Sequence, residues 1–382
     1  MSFTLALPRL SLSGDGALID ALAILKEQGV RSALILTDRV VRGLEGFRVL
    51  LSALKTEDIA FRVFDLIEPN PTSSTVDAAL AEYRSKATDV IIALGGGSVI
   101  DTGKAVRLLS ANPGPIHRYE GVHHQLKCGV MLVAMSTTSG TAAEVTSNAV
   151  ITDTARHIKM VIISHSIIPD IAVNDPVVLM SMPAAVTAST GMDALTHAIE
   201  AYVSKGAHSL TDPTSLEAIR IIAAWLPKAC DNGNDLEARE MMAHGQFLAG
   251  MAFNSAGLGC VHSLAHQPGA THNLAHGVCN AILLPVVEEF NRPAAVERFA
   301  QIASAMGVNT EGMSKEEASI AALSAIRTLS SRVGIPPSFA SFGITESDVE
   351  AWIEPALKDP CTPGNPRVLS ADDVRTLYMK AI

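Results

Sequence analysis

The sequence predicts an α/β protein with a Rossmann-like parallel-sheet domain over residues 1–180 and an all-helical domain over residues 181–382. Three observations predict it. Short β-rich runs alternate with helical stretches through the first half. Those runs are continuously apolar, the pattern of strands covered on both faces. After "LMSMPAAVTAST" (179–190) the β-rich runs nearly vanish, and long segments rich in Ala, Leu, Ile and Met follow.

Taken in order, "SALILTD" (32–38) is an apolar strand ending in an acid, and "IAFRVFD" (59–65) is another. "DVIIALGGGS" (89–98) is a strand running into glycines, and "VMLVAMSTTSGT" (130–141) is a strand running into a hydroxyl-rich turn. Helical patterns lie between them, among them 74–86 and 99–110. In the second half, apolar spacing predicts helices near 191–204, 213–227, 235–254, 257–267, 277–290, 294–305, 315–333 and 346–357. Open parallel sheets bind ligands beyond the carboxyl ends of their strands. The glycine-rich and hydroxyl-rich turns both lie at such ends, so the cleft facing the helical half is the expected site.

Composition narrows the function classes. Of 382 residues, 48% are hydrophobic and 18% charged, enough for large cores and unlike a disordered chain. Twenty-nine basic against 39 acidic residues give a net charge of −10, which is no footprint for nucleic acid or an anionic membrane. No apolar run reaches the roughly 18 residues of a membrane span. The start, "MSFTLALPRLSLSGDG", lacks a basic segment before its apolar run, so no signal peptide is expected. Five scattered cysteines without a C-x-x-C pair point to a reducing, cytoplasmic setting.

"LGGGSVIDTGKAV" (94–106) places Gly95, Gly96, Gly97 and Ser98 between a strand and a helix. Consecutive glycines let backbone approach a bulky ligand, and the helix start offers free N–H groups and a positive dipole end, which suits a pyrophosphate. The stretch matches neither G-x-G-x-x-G, which needs glycine at Ile100, nor the Walker pattern, which needs glycine at Ser98 and a hydroxyl at Ala105. "STTSGTAAEVT" (136–146) adds Thr137, Thr138, Ser139 and Thr141 around Gly140; such hydroxyls cap a helix or bond a phosphate or ribose. Asp38, at the end of its strand, is either an ordinary strand-end acid or an acceptor for both hydroxyls of an adenosine ribose, in which case it repels a 2′-phosphate.

"TGMDALTHAIEAY" (190–202) carries Asp193 and His197 four residues apart, on one helix face. "GCVHSLAHQPGATHNLAHGVCNA" (259–281) holds His262, His266, His272 and His276. Pro268 and Gly269 are expected to break the helix there, so that His276 returns from another direction. One carboxylate with several imidazoles from separate segments suits a divalent transition metal such as Fe(II) or Zn(II), and suits Ca or Mg poorly. Spacing alone does not rank these ligands.

Together, "GGGSVIDTGKA", "TTSGTAAEVTSNAVITD", "GMDALTHAIEAY" and "GLGCVHSLAHQPGATHNLAHGVCNAILLP" resemble the iron-dependent, group III alcohol dehydrogenase family, in its bacterial ethanol, lactaldehyde and 1,3-propanediol dehydrogenase branch. The likeness runs from "ALILTD" to "NPR" (365–367). It implies metal ligation by Asp193, His197, His262 and His276, with His266 near the nicotinamide and substrate as a proton relay. It implies NAD as cofactor: Asp38 at the ribose, Gly97 and Ser98 on the pyrophosphate with Gly95 and Gly96 shaping the turn, Thr137, Thr138, Ser139, Gly140 and Thr141 as a second loop, and Asn70, Val150 and Lys159 as further contacts. Asn148 and Phe253 match substrate-pocket positions. The implied reaction is hydride transfer between NAD and small primary alcohols or diols, with the metal as Lewis acid. Family members are commonly dimers or larger. The chain departs from close relatives at Thr271 and His272, which stand for an aromatic pair, at Ala275 for proline and at Pro268 for leucine. His272 is then either a residue that favours an alcohol carrying an acidic group or a polar residue on the pocket rim. A lyase of the dehydroquinate-synthase type needs several basic residues at its substrate, and the stretches 190–204 and 255–281 have only Lys205 nearby. A glycerol-type dehydrogenase and a non-catalytic metal or nucleotide sensor are the remaining alternatives.

Overall fold

The computed structural model describes residues 3–156, 158–180 and 182–382. They cluster into two compact units: Ala6–Met182, and Pro183–Ile382 together with the N-terminal residues up to Leu5.

In the first unit the described strands are β1 (Leu10–Ser13), β2 (Ser32–Leu36), β3 (Ala60–Phe64), β4 (Val90–Gly95), β5 (Gly121–Val122), β6 (Met131–Ser136), β7 (Asn148–Asp153), β8 (Ile158–Ile163) and β9 (Ile171–Asn174). Its α-helices are α1 (Ala17–Glu27), α2 (Arg39–Arg42), α3 (Glu45–Thr56), α4 (Ser73–Ser85) and α5 (Gly97–Ala111). Six strands form a fully parallel sheet in the order β1-β9-β6-β4-β2-β3. Leu34, Leu36, Ile91, Ala93, Leu132 and Ala134 join α4 and α5 in one core, and the intervening Ile35, Ile92 and Val133 are equally buried. Burial on both faces is why these strands read as unbroken apolar runs. From β2 the chain runs outward to β3, then crosses back so that β4, β6 and β9 build the other side. The order therefore reverses between β2 and β4, the place where such sheets bind ligands. Asp38 follows β2, and Gly96 and Gly97 follow β4. A second sheet, β5-β8-β7, contains the antiparallel pair β7 and β8, a feature the strand pattern in the sequence did not anticipate.

The second unit holds α6 (Ala184–Val203), α7 (Asp212–Asp231), α8 (Leu236–Ala256), α9 (Cys260–Thr271), α10 (His276–Asn291), α11 (Val296–Ala305), α12 (Lys315–Arg332), α13 (Glu346–Lys358) and α14 (Ala371–Ala381). One core links them, including Leu195, Ile222, Leu264, Leu283, Phe299 and Trp352. Phe3 stacks on His208 at 3.9 Å between ring centres, which ties the N-terminal residues to this unit. No described helix is long and apolar enough to cross a membrane.

Two expectations are corrected. Helix α6 begins at Ala184, ahead of the expected 191, with Gly191 inside it. Helix α9 is not broken at Pro268 and Gly269 but runs on to Thr271. Proline at 268 offers no N–H to the carbonyl of Leu264 one turn earlier. The hydroxyl of Tyr378 donates to that carbonyl at 2.8 Å, so the helix continues without an orphaned acceptor. Helix α14 was also unforeseen, although Ser370 and Asp373 form a reciprocal capping box at its start.

Candidate metal centre and cofactor turn

Three helices of the second unit each present a pair of polar side chains four residues apart: Asp193 and His197 on α6, His262 and His266 on α9, His276 and Asn280 on α10. Such pairs share a helix face, and α10 packs on both α6 and α9. Ligand atoms of Asp193, His197, His262 and His276 all lie within 4.8 Å of one another. Asp193 Oδ1 is 3.6 Å from His276 Nε2 and 4.0 Å from His262 Nε2. These separations are too long for hydrogen bonds and close to the ~3.4 Å spacing of ligands around a tetrahedral ion with bonds of about 2.1 Å. Asp193, His197 and His262 are buried and His276 is half-buried. A buried carboxylate facing imidazole nitrogens is costly unless a cation completes it. Burial, with His197 and His266 as neighbours, holds the His262 pKa well below the usual histidine value. The neutral ring is the form that ligates a metal. The donor set fits a divalent transition ion.

Neighbouring groups orient these side chains. Glu200, one further turn along the Asp193–His197 face of α6, meets His262 Nδ1 through Oε2. Burial pushes its carboxyl up to about 7, against the pull of the backbone N–H groups it accepts from. Asn280 Nδ2 lies 2.6 Å from Asp193 Oδ1, 3.1 Å from His262 Nε2 and 3.0 Å from His276 Nε2, in the middle of the set. Glu200 and Asn280 were not singled out in the sequence, although their helical spacing from His197 and His276 was a usable signal. His266 lies outside the group of four: it stacks on His276 at 5.4 Å and holds Asp359 Oδ2 through Nδ1 at 2.7 Å. Phe253 stacks on His197 at 4.3 Å. His272 ends α9 with Nδ1 at the Thr271 hydroxyl, Nε2 3.7 Å from Asp348 and its ring edge-on to Trp352.

In the first unit a cavity of about 430 Å³ is lined by Asp38, Asp65, Glu68, Gly96, Gly97, Ser98, Thr137 and Thr138, among others. Asp38 caps α2, with Oδ1 accepting from the N–H groups of Val40 and Val41 at 2.8 Å. Oδ2 is not used in that cap. Helix α5 starts at Gly97 without a side-chain cap, so its first N–H groups are available to an anion. The two turns adjoin: Thr137 N donates to Gly95 O at 3.0 Å, and a Cβ on Gly97 would sit 3.0 Å from the Thr141 side chain. Gly140 is buried in the second turn. Among the described residues, the buried hydroxyls of Thr138 and Ser139 find no hydrogen-bond partner. Orphaned buried hydroxyls of this kind fit a site that a polar ligand completes. Lys159 Nζ donates to Asn70 Oδ1 at 2.8 Å. Strand β7 is held by α5: Val150 N donates to Asp101 Oδ2 at 3.0 Å, and the fully buried Lys104 donates to the Asn148 carbonyl at 2.7 Å. Asp101 and Lys104 stand in the glycine-turn motif, where no local pattern in the sequence marks them as a structural pair.

Residues 8–176 match the iron-containing alcohol dehydrogenase family, and residues 187–382 match the C-terminal part of the Fe-containing alcohol dehydrogenase family. An NAD-dependent methanol dehydrogenase of Bacillus methanolicus is 40% identical over 376 residues, covering 98% of this chain and 99% of that protein. A lactaldehyde reductase of Escherichia coli strain K12 is 42% identical over 368 residues, covering 96% of this chain and 95% of that one. The crystal structure of a 1,3-propanediol oxidoreductase superposes with a TM-score of 0.98 at 39% identity, covering 100% of both chains.

Proposed function

The chain belongs to the iron-containing alcohol dehydrogenase family, and from that premise we propose that it interconverts small primary alcohols or diols and their aldehydes, with NAD as the hydride carrier and a divalent metal at the reacting oxygen. The observation that carries the proposal is the convergence of one carboxylate and three imidazoles from three helices. Asp193, His197, His262 and His276 are read as the ligands, of Fe(II) by family and of Zn(II) as the other ion suited to such a set. When bound, these groups supply Lewis-acid polarisation of the substrate oxygen and hydride exchange at the nicotinamide.

The side chains of the chain supply the rest. His266, half-buried beside His276 with Nδ1 on Asp359, keeps Nε2 for passing the hydroxyl proton outward. Gly97 and Ser98 receive the pyrophosphate on a turn shaped by Gly95 and Gly96. Thr137, Thr138, Ser139, Gly140 and Thr141 form the second wall, with Asn70, Val150 and Lys159 as further cofactor contacts. Asp38 offers Oδ2 to the ribose hydroxyls and disfavours a 2′-phosphate. Phe253, Asn148 and His272 are read as pocket residues. Asp348 beside His272 already meets any positive charge on that ring, which favours a small neutral substrate over an anionic one. On this reading Ala6–Met182 is the NAD-binding unit and Pro183–Ile382 the metal and substrate unit. A cytoplasmic setting accords with five scattered cysteines, and a homodimer or larger homo-oligomer with the family.

The test is turnover with metal content measured alongside. Protein loaded anaerobically with Fe(II) is expected to form NADH from short primary alcohols and diols. Asp193→Ala/His276→Ala is expected to lose the metal and to fall in kcat/KM by about a thousandfold, the equivalent of about 4 kcal/mol. Undiminished turnover in the double variant overturns the reading.

A further inference from the structure

Helix α9 begins at Cys260 with Gly259 as its N-cap, and glycine has no side chain with which to satisfy the first N–H groups. Two side chains from elsewhere do so. Asn365 Oδ1 accepts from Cys260 N at 3.1 Å, and Glu200 Oε1 accepts from Val261 N at 2.6 Å. A Cβ at position 259 would lie 2.8 Å from the Asn365 oxygen and 2.9 Å from the Glu200 oxygen, so glycine is what admits both. Glu200, buried on α6, thus sits at a helix start, where N–H groups and the dipole favour a negative group. Its second oxygen, Oε2, meets Nδ1 of His262.

On the other side of the ring Asn280 Nδ2 lies 3.1 Å from His262 Nε2, and an amide NH₂ only donates, so Nε2 accepts there and Nδ1 carries the proton that Glu200 Oε2 receives. A neutral imidazole with its proton on Nδ1 carries its lone pair on Nε2. Nε2 is the nitrogen on the Asp193 side of the ring. We propose that Glu200 is a positioning residue of the metal centre, locking His262 in the Nδ1–H tautomer so that the Nε2 lone pair is aimed at the cation. The inference rests on the metal-centre reading above. It also gives one buried side chain two tasks, as substitute cap for α9 and as orienting group for the ligand that α9 carries. The distance along the chain between Glu200 and His262, 62 residues, places this link between helices and outside any local motif.

Glu200→Gln separates the tasks. An amide has one acceptor end and one donor end. With its oxygen on Val261 N the cap survives, but its NH₂ faces Nδ1 and drives the ring proton to Nε2, where it blocks ligation. With the amide reversed, NH₂ opposes the N–H of Val261. Metal-stripped wild type and Glu200→Gln are titrated with Zn(II) alone against a chromophoric chelator. The variant is expected to bind roughly 10- to 100-fold more weakly, the cost of losing a group that orients a metal-ligating histidine. A folded variant whose Kd stays within about threefold of wild type, far short of that range, overturns the proposal. A second measurement needs no variant to fold well. In metal-free, ¹⁵N-histidine-labelled wild type, the His262 signal, assigned by its loss in His262→Asn, is expected to show the proton on Nδ1. A proton on Nε2 overturns the proposal. Wild type with no measurable cation affinity breaks the metal-centre reading instead, and the tautomer still decides the role of Glu200.

Discussion

Where β4 runs into α5, the groups that face the proposed cofactor are backbone N–H groups and hydroxyls on two adjoining turns of one unit. In the helical unit, the groups that face the proposed metal are all side chains, and they come from far apart: Asn280 and Asp193 are in contact across 87 residues of sequence. The first site is a property of local chain geometry at a sheet switch point. The second is a property of how closely three helices approach. Damage to them should therefore differ in kind. The turn should respond to changes in what it offers a ligand, and the helical centre should respond to small changes in packing even when every ligand is kept.

The sharpest way to break that contrast lies beside His276. A Cβ on Gly277 of α10 would sit 2.5 Å from the Ser189 carbonyl oxygen of α6 and 3.4 Å from Asp193 Cβ. The Ser189 oxygen is backbone and has no rotamer with which to yield. Gly277→Ala is expected to push α6 and α10 apart and loosen Asp193 from His276 with all four ligands present. The expected cost is about 1–3 kcal/mol in denaturant unfolding, as for other overpacked cores. Cation affinity is expected to fall by at least about tenfold, in the range seen when support around metal ligands is lost. Unchanged affinity in a chelator titration would mean that helix approach does not set the geometry of this centre.

The same contrast explains what was legible beforehand. Strands β2, β3, β4 and β6 and the turn that ends β4 could be read because local signals, apolar runs and consecutive glycines, dictate them. Asp193 and His197 could be paired from their spacing on one helix. Spacing alone could not separate His276 from His266 and His272, because the deciding groups are remote. Asp359 takes Nδ1 of His266 from 93 residues away, and Asp348 faces Nε2 of His272. Pro268 looks like a helix breaker in the sequence for the same reason, since the hydroxyl that rescues its turn comes from Tyr378, 114 residues from Leu264. Helix spacing does carry two further signals, the continuation of the Asp193–His197 face to Glu200 and the four-residue step from His276 to Asn280. In the sequence the hydroxyls of Thr138 and Ser139 stand open to two readings, cap or ligand contact; their lack of partners among the described residues favours the second.

Support for the turn has a pH signature of its own, set by one buried pair. Burial raises Asp101 to about 6 and lowers Lys104 to about 8, each against the attraction of the other. Between its ordinary value near 3.8 and about 6, Asp101 keeps a proton in the folded chain that the unfolded chain has released, so its contribution to stability falls as pH rises through that window. Between about 8 and its ordinary 10.5, folded Lys104 has lost a proton that the unfolded chain still holds, so stability rises with pH there. Subtracting the unfolding free energy of Asp101→Asn/Lys104→Met from that of wild type should give a curve that falls by roughly 2–3 kcal/mol from pH 4 to 6, stays flat to pH 8, then climbs. A flat difference across the whole range would show that the pair is solvated well enough to titrate normally, and that β7 is held to α5 without a buried charge.

The smallest expected effect is the most discriminating about the turn itself. Asp38 has a structural task, capping α2 through Oδ1, and a proposed one, receiving the ribose through Oδ2. Serine at this position keeps an acceptor for the cap and removes the carboxylate; alanine removes both. Asp38→Ser is expected to move the NADP-to-NAD ratio of kcat/KM toward NADP by about tenfold, near 1.4 kcal/mol, with little change in Tm. Asp38→Ala is expected to move the ratio similarly and to lose about a further 1 kcal/mol of stability from the missing cap. Should the ratio stay fixed in both variants while stability drops only in alanine, Asp38 is a helix cap alone. The choice of cofactor would then fall to the other carboxylates lining the same cavity, Asp65 and Glu68, and the cofactor site would depend on charged side chains more than its glycine turn suggests.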